Sequence, residues 1–203
     1  MNRTVPLDPE TLLSAYAQGA FPMSDRDGIV RWYTADPRGV IPLDERFHVS
    51  GTLAALVRQR KFDVRINYDF ERTMQLCAAG REDGTWIGRQ LIRAYCRLHE
   101  LGFAHSVECY APTVAGGDEH LVGGLYGVTL GGAFFGESMF HRARDASKVA
   151  LVHLVERLRE RGFLLLDAQA QTPHLKTFGC EEISGEEYLK RLREAIVVKC
   201  VFD

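Results

Sequence analysis

No apolar run in this 203-residue chain approaches the length of a membrane-spanning helix, and the opening MNRTVPLDPE has no signal-peptide core. A cytoplasmic protein is expected. Neither sign of charge predominates: 25 basic residues stand against 27 acidic ones. That balance excludes a broad basic face and confines any nucleic-acid contact to a local patch. Cys77, Cys96, Cys109, Cys180 and Cys200 show no Cys-x-x-Cys spacing, and no histidine pair stands at ligand distance. An odd number of cysteines in a reducing compartment fits buried or idle thiols, so no metal site and no cofactor are expected. Repeats and low-complexity segments are lacking too, and the linker-like stretch in the body, residues 111–120, reads as an exposed loop. A chain of this length can bury a real core, as one domain or as one with a small appendage.

What is present centres on residues 121–148, LVGGLYGVTLGGAFFGESMFHRARDASK. Two apolar strands, 121–130 and 133–140, meet at Gly131-Gly132, a dipeptide suited to the positive φ angles of a hairpin. Gly123, Gly124, Gly127, Gly131 and Gly132 weaken a strand, which implies a backbone that something must approach closely. Glu137 stands among Phe134, Phe135, Met139 and Phe140, and a carboxylate in such company needs a partner or a chemical task. The plainer alternative is a glycine-rich hairpin with one edge glutamate.

Along the chain, Asp8-Pro9, the Leu12, Leu13, Tyr16 spacing and Gly19 predict a capped helix. Phe21-Pro22-Met23 then plugs a core or lines a pocket, and a short aromatic strand holds Trp32 and Tyr33. Asp36-Pro37-Arg38-Gly39 carries turn chemistry, which places a boundary between a small N-terminal unit, 1–37, and a main domain, 38–203. Ser50 caps a helix ending in Arg58, Arg60 and Lys61, whose charge suits the helix dipole or a phosphate. A strand follows over 62–67, and Asp69 caps a helix that Gly80 stops. Trp86 precedes a helix with Leu91, Ile92, Tyr95 and Leu98 on one face, and it is either core or a stacking platform for a base. Residues 104–110 read as a strand. After the hairpin, Asp145 caps a helix to Arg161 with an apolar stripe of Leu151, Leu154, Val155 and Leu158.

Residues 163–169, FLLLDAQ, read as a buried strand whose C-terminal end opens onto a site. Asp167 and Gln169, two apart, point the same way on such a strand, unless they simply cap the segment at His174-Leu175. Ser184 to Glu187 is a capping box, and VVKCVF, 197–202, can close the sheet as a last strand. The element order gives a mixed α/β (α+β) sheet with helices on both faces, compatible with a GNAT-like acyltransferase fold.

Several motifs together carry a more specific likeness: Tyr16-x-x-Gly19-x-Phe21-Pro22-Met23, Trp32 with Asp36-Pro37-Arg38, Thr85-Trp86-Ile87, and Ala94-Tyr95-x-x-Leu98-His99. In order after them come AHSVE at 104–108, LVGGLYGV at 121–128, FFGESMF at 134–140, Ala146-Ser147-Lys148 and Leu166-Asp167-x-Gln169. This succession resembles the leucyl/phenylalanyl-tRNA–protein transferases over nearly the whole chain. The resemblance implies transfer of leucine or phenylalanine, and methionine less well, from aminoacyl-tRNA to proteins beginning with Arg or Lys, marking them as N-degrons for degradation. It implies Asp167 and Gln169 as a catalytic pair and Glu137 as the acid that meets the basic acceptor residue. Leu125, Phe134, Leu154 and Leu166 fall where that family builds its aminoacyl pocket. Trp86 and Met23 fall beside the 3′-terminal adenosine, and Arg58, Arg60 and Lys61 toward the tRNA body.

An aminoacyl ester is already activated, so such an enzyme positions an amine against it and manages protons. The α-amino group has a reference pKa near 8, and Asp167 with Gln169 is expected to draw off its proton. Compared with the family, the chain starts almost at the first helix, Met23 stands where tryptophan is common, and Gly51, Ala54, Ala55 and Gly185 are neutral where cations are common. Weaker tRNA binding centred on the 3′ end is the expectation. A rival acetyl-CoA enzyme needs a pyrophosphate loop, and both nearest approaches, Arg81-x-x-Gly84-x-Trp86 and Arg159-x-x-Gly162-x-Leu164, fail at the last position. A non-catalytic reader of N-terminal Arg or Lys would have no use for Gln169 and an apolar pocket.

Overall fold

The computed structural model describes residues 6–25, 27–79, 84–111 and 120–203. Helix α1, Pro9–Ala17, starts where Asp8 accepts a hydrogen bond from the Thr11 N–H at 3.0 Å, with proline at its first turn. It buries Leu12 and Tyr16 and leaves through Gly19. The Phe21-Pro22-Met23 exit is a strand, β1 (Phe21–Ser24), paired antiparallel to β2 (Val30–Tyr33) in a two-stranded sheet.

The stretch read as a turn at Asp36-Pro37-Arg38-Gly39 is only partly one. Arg38 and Gly39 open β3 (Arg38–Ile41), all four residues of which are buried. Strands on both sides supply its backbone partners, so local turn chemistry loses to ladder hydrogen bonds. The remaining elements are α2 (Gly51–Arg58), β4 (Asp63–Ile66), α3 (Phe70–Ala79), α4 (Arg89–Glu100), β5 (Ala104–Ala111), β6 (His120–Leu130) and β7 (Ala133–His141), followed by α5 (Ala146–Glu160), β8 (Leu165–Gln169), α6 (Pro173–Lys176), β9 (Glu181–Ile183) and α7 (Gly185–Ile196). Ser50 and Ser184 cap α2 and α7 as expected. Asp145 stands at the start of α5 but makes no capping bond; its carboxylate accepts from Lys148 instead. The expected helix stop at Gly80 and the loop over 112–119 lie outside the described residues.

The main sheet has seven strands in the order β4-β5-β6-β7-β8-β3-β9. Every neighbouring pair is antiparallel except β7 and β8, which are parallel and joined through α5. It is a mixed α/β fold with an apolar cluster on each face. One cluster takes Leu12, Tyr16, Leu91, Tyr95 and Leu192 from α1, α4 and α7; the other takes Leu53, Leu151, Leu154 and Phe178 from α2, α5 and beyond. Residues 197–202 do not form the expected closing strand. Val197 and Val201 face solvent while Phe202 anchors that segment against His105, Phe134 and Phe163, and β9 closes the sheet edge.

The glycine-rich hairpin is approached closely, and by the protein itself. A Cβ on Gly123 would strike Ala146, where α5 begins, and one on Gly127 would strike the Phe134 ring. Of the two turn glycines only Gly131 has positive φ, at +57°.

Candidate active site

Strands β7 and β8 pair only from Ala133↔Leu165 to Phe135↔Asp167 and then part. Gly136 stands at the fork, its α-carbon so near β8 that an added Cβ would lie 3.2 Å from the Asp167 carbonyl oxygen. Beyond it a cavity of about 390 Å³ opens between the two strands. Each strand bends there at an irregularity. On β7, Gly136 faces Gly127 and Ser138 faces Tyr126, so Glu137 is the extra residue of a bulge; on β8, Ala168 is skipped between Asp167↔Val40 and Gln169↔Gly39. Gln169 takes φ +63°. Simple alternation therefore does not govern Asp167 and Gln169: the carboxylate turns to Arg38, the amide to Glu137.

Asp167 is fully buried, and both of its oxygens are doubly occupied. Arg38 donates to it through Nε at 2.9 Å and Nη2 at 2.5 Å, Tyr188 through its hydroxyl at 2.8 Å, and Gln169 through its backbone N–H at 2.8 Å. Burial pulls the Arg38 guanidinium down, but its bonds to Asp167 and the charge there outweigh this, and its pKa ends above the ordinary value.

Glu137 is buried too, at 8 % exposure. Its Oε1 accepts from the Tyr16 hydroxyl at 2.7 Å and the Gln169 amide at 3.1 Å, and its Oε2 from the Tyr95 hydroxyl at 3.3 Å. Burial above all raises its pKa, to about 7; the Tyr16 bond opposes this and the Asp167 charge adds to it. Tyr16 and Tyr95, which also touch each other through their hydroxyls, are pushed well above the usual phenol range by burial and then by the Glu137 charge. They remain neutral donors. The result is one saturated ion pair beside one carboxylate poised near neutrality.

Of the expected residues, Met23, Trp86, Leu125, Glu137, Leu154, Leu166, Asp167 and Gln169 line this one cavity. Phe134 does not reach its surface; it packs behind β7 against Phe202. Arg58, Arg60 and Lys61 lie away from it, at the exposed end of α2. Sequence reasoning quoted Arg38, Tyr16 and Tyr95 in the family motifs but gave them no part in the site, and it did not single out Tyr188. A usable signal existed for the tyrosines, since a phenol on the buried stripe of a helix needs a partner for its hydroxyl.

A parallel strand pair that parts over an apolar cavity, with acidic and amide groups at the fork, defines an α/β enzyme site rather than a surface for docking alone. The model of the leucyl/phenylalanyl-tRNA protein transferase family matches residues 40–193, and that of the family's N-terminal domain matches 6–36. The chain is 52 % identical over 196 residues to the leucyl/phenylalanyl-tRNA–protein transferase of Herpetosiphon aurantiacus, covering 97 % of this chain and 98 % of that one. It is 53 % identical over 190 residues to that of Rubrobacter xylanophilus, covering 94 % and 95 %. The chain belongs to this family, and it is a transferase enzyme.

Proposed function

We infer that the protein moves leucine or phenylalanine, and methionine less well, from aminoacyl-tRNA to the α-amino group of proteins beginning with Arg or Lys. In the cytoplasm that transfer marks them for N-degron-dependent degradation. The fold is read as GNAT-like on the strength of the parting β7–β8 pair. The observation that carries the functional reading is the buried carboxylate of Glu137 in the wall of an apolar cavity, within hydrogen-bond reach of Gln169.

In this reading Leu125, Met139, Leu151, Leu154 and Leu166 receive the aminoacyl side chain, while Trp86 and Met23 lie against the terminal adenosine. An apolar pocket separates side chains by about 1–3 kcal/mol per methylene, which accounts for tolerance among Leu, Phe and Met. The acceptor nitrogen attacks the ester carbonyl carbon. A C–N bond forms, the bond to the ribose 3′-oxygen breaks, and the nitrogen's proton must leave.

The α-ammonium, with a reference value near 8, first releases one proton to solvent; Glu137, with a pKa of about 7, takes the second as the nitrogen attacks, and its acid form returns that proton to the departing 3′-oxygen. Its negative charge also favours a cationic acceptor residue over a neutral one. Gln169 keeps its amide on Glu137 and offers its carbonyl oxygen to an acceptor N–H. Asp167, with all its bonds already made, acts through Gln169 as a positioning residue, a smaller part than the direct proton removal expected of it.

The test is transfer of labelled leucine from charged tRNA to a peptide beginning with Arg. Glu137→Gln is expected to lower kcat by about 10²–10⁴ at every pH, as loss of a general base does. No transfer by the wild-type protein, or full activity in that variant, would overturn the reading.

A further inference from the structure

A second cavity, of about 670 Å³, adjoins the first through the shared residues Met139 and His174. It is lined by His141, Arg144, Asp145, Ser147 and Lys148. Arg144 is almost wholly solvent-facing, at 94 % exposure, while Ser147 is 95 % buried behind it at the start of α5. The Nε2 of His174 is buried and has no hydrogen-bond partner among the described residues. Two cations, Arg144 and Lys148, and two imidazoles, His141 and His174, therefore line one hollow that holds a single carboxylate, Asp145, which Lys148 meets at 2.8 Å and Arg144 at 3.5 Å.

The charge extends past the cavity rim. The Lys148 hydrogen bond foremost, with the charges of Arg144 and Lys61 adding, holds the Asp145 carboxyl below its ordinary range. Lys61 at the end of α2 thus belongs to the same field. Likewise His174 is lowered by burial first, then by the nearby charges of Lys148 and His141. The cations Arg144 and Lys148 line the second cavity at the start of α5, and the charge of Lys61, beyond the end of α2, is felt at Asp145 as well.

Two halves of the site now have opposite signs. Glu137 favours a cation at the fork, where Asp167 is already neutralised by Arg38, whereas the cationic edge of this hollow does not, so the acceptor's basic terminus does not belong in it. A polyanion does. The geometry points to the cavity of His141, Arg144, Lys148 and His174 as the subsite for the phosphodiester backbone next to the 3′-terminal nucleotide of the aminoacyl-tRNA. The assignment rests on the donor being a tRNA, as proposed above. It puts cations at a cavity that shares Met139 and His174 with the one proposed to take the ester, and it explains how a chain of nearly balanced charge can hold a polyanion locally.

Arg144→Gln and His141→Gln test it, because both side chains are exposed and neither belongs to the core. Two donors are compared, phenylalanyl-tRNA and phenylalanyl-adenosine, the second of which has no phosphate. The double variant is expected to lower the ratio of kcat/KM for the tRNA donor to that for the adenosine donor about tenfold. For Arg144→Gln alone, the dependence of tRNA affinity on salt falls by about 0.7 in log–log slope. An equal loss with both donors, or no loss with either, overturns the proposal.

Binding of a fluorescent oligonucleotide ending in CCA, read by anisotropy, separates this from the functional reading above. If the wild-type protein transfers nothing yet binds the oligonucleotide through Arg144 and His141, the phosphate subsite stands and the reaction does not. If a polyglutamate peptide displaces nothing while oligonucleotide binding weakens in the variants, the subsite is for nucleic acid. Binding of the peptide in place of the oligonucleotide refutes it.

Discussion

Arg38 and Asp167, 129 residues apart, are joined by two hydrogen bonds in a pair with side-chain exposures of 1 % and 0 %. The pair ties β3 to β8 one strand away from the fork and also ties them to α1 and α7, since Arg38 donates to the Gly19 carbonyl at 3.0 Å and its guanidinium lies 4.4 Å from the Tyr188 ring centroid. Removing one member of a buried pair leaves an uncompensated charge, at a cost of about 3–5 kcal/mol. Asp167→Ala and Arg38→Ala are each expected to lose that much in urea denaturation. The double replacement Arg38→Met with Asp167→Leu recovers a good part of it. Single variants with losses under about 1 kcal/mol would mean that the pair contributes little.

Glu137 gives stability a pH dependence whose sign can be worked out. Its unfolded value is 4.5 and its folded value about 7. Below pH 4.5 both states hold the proton and nothing is lost. Between 4.5 and 7 the folded protein retains a proton that the unfolded chain has released, so stability falls as pH rises. Above 7 the full cost of about 3 kcal/mol is present. Between pH 5 and pH 8 the wild-type denaturation midpoint should therefore drop more than that of Glu137→Gln. Parallel curves for the two proteins would rule out a raised Glu137.

With Glu137 as the proposed base, the same carboxylate is expected to set the acidic limb of the rate profile. Tyr16 donates to it at 2.7 Å and Tyr95 at 3.3 Å, both stabilising its charged form. Tyr16→Phe should move the limb of log kcat against pH to higher pH, and Tyr95→Phe should move it less. Shifts in the reverse order, or toward lower pH, would contradict the assignment of Glu137 as the group that titrates.

How much of this was legible depended on whether the signal was local. Helix α1 declared itself through Asp8, Pro9 and Gly19, and the β6–β7 hairpin through Gly131-Gly132, because caps and turns are encoded within a few residues. Most of the site residues came from the likeness to a family, and all but Phe134 among the cavity candidates line one cavity. Arg38 was hidden because Asp-Pro-Arg-Gly is turn chemistry on its own terms, and its strand is made by partners distant in sequence. The two bulges were hidden for a related reason: skipping Glu137 on one strand and Ala168 on another is a property of pairing, with no mark in a glycine-rich stretch. The C-terminal segment misled in the opposite sense, since VVKCVF has strand composition but only Phe202 is drawn into the core.

Leu151 and Leu154, three residues apart on α5, are both buried and both line the cavity with apolar surface. Leu154→Ala should cost about 2–5 kcal/mol in stability, as large-to-small changes in a packed interior do. It should also enlarge the pocket and shift preference toward the bulkier donor: the ratio of kcat/KM for phenylalanine to that for leucine rises. An unchanged ratio in a folded variant would place the aminoacyl side chain elsewhere.

Trp86 is partly buried on the first apolar cluster and also lines the cavity beside Met23. Stacking of a base on an aromatic ring is worth about 1–3 kcal/mol by alanine substitution, hence about 5- to 150-fold in affinity. Trp86→Ala should raise KM for phenylalanyl-tRNA by an amount in that range and raise KM for phenylalanyl-adenosine by a similar factor, because both donors carry the adenine. Trp86→Phe, which keeps a ring in place, should restore most of the loss. Met23→Trp should lower KM for both donors, since methionine is apolar and adaptable but offers no face for stacking. This pattern contrasts with the one expected for Arg144, whose loss should be felt only by a donor with phosphates, and the contrast would separate base from backbone. Were Trp86→Ala to impair the tRNA donor alone, the ring would be holding the backbone path in shape and the adenine would lie elsewhere.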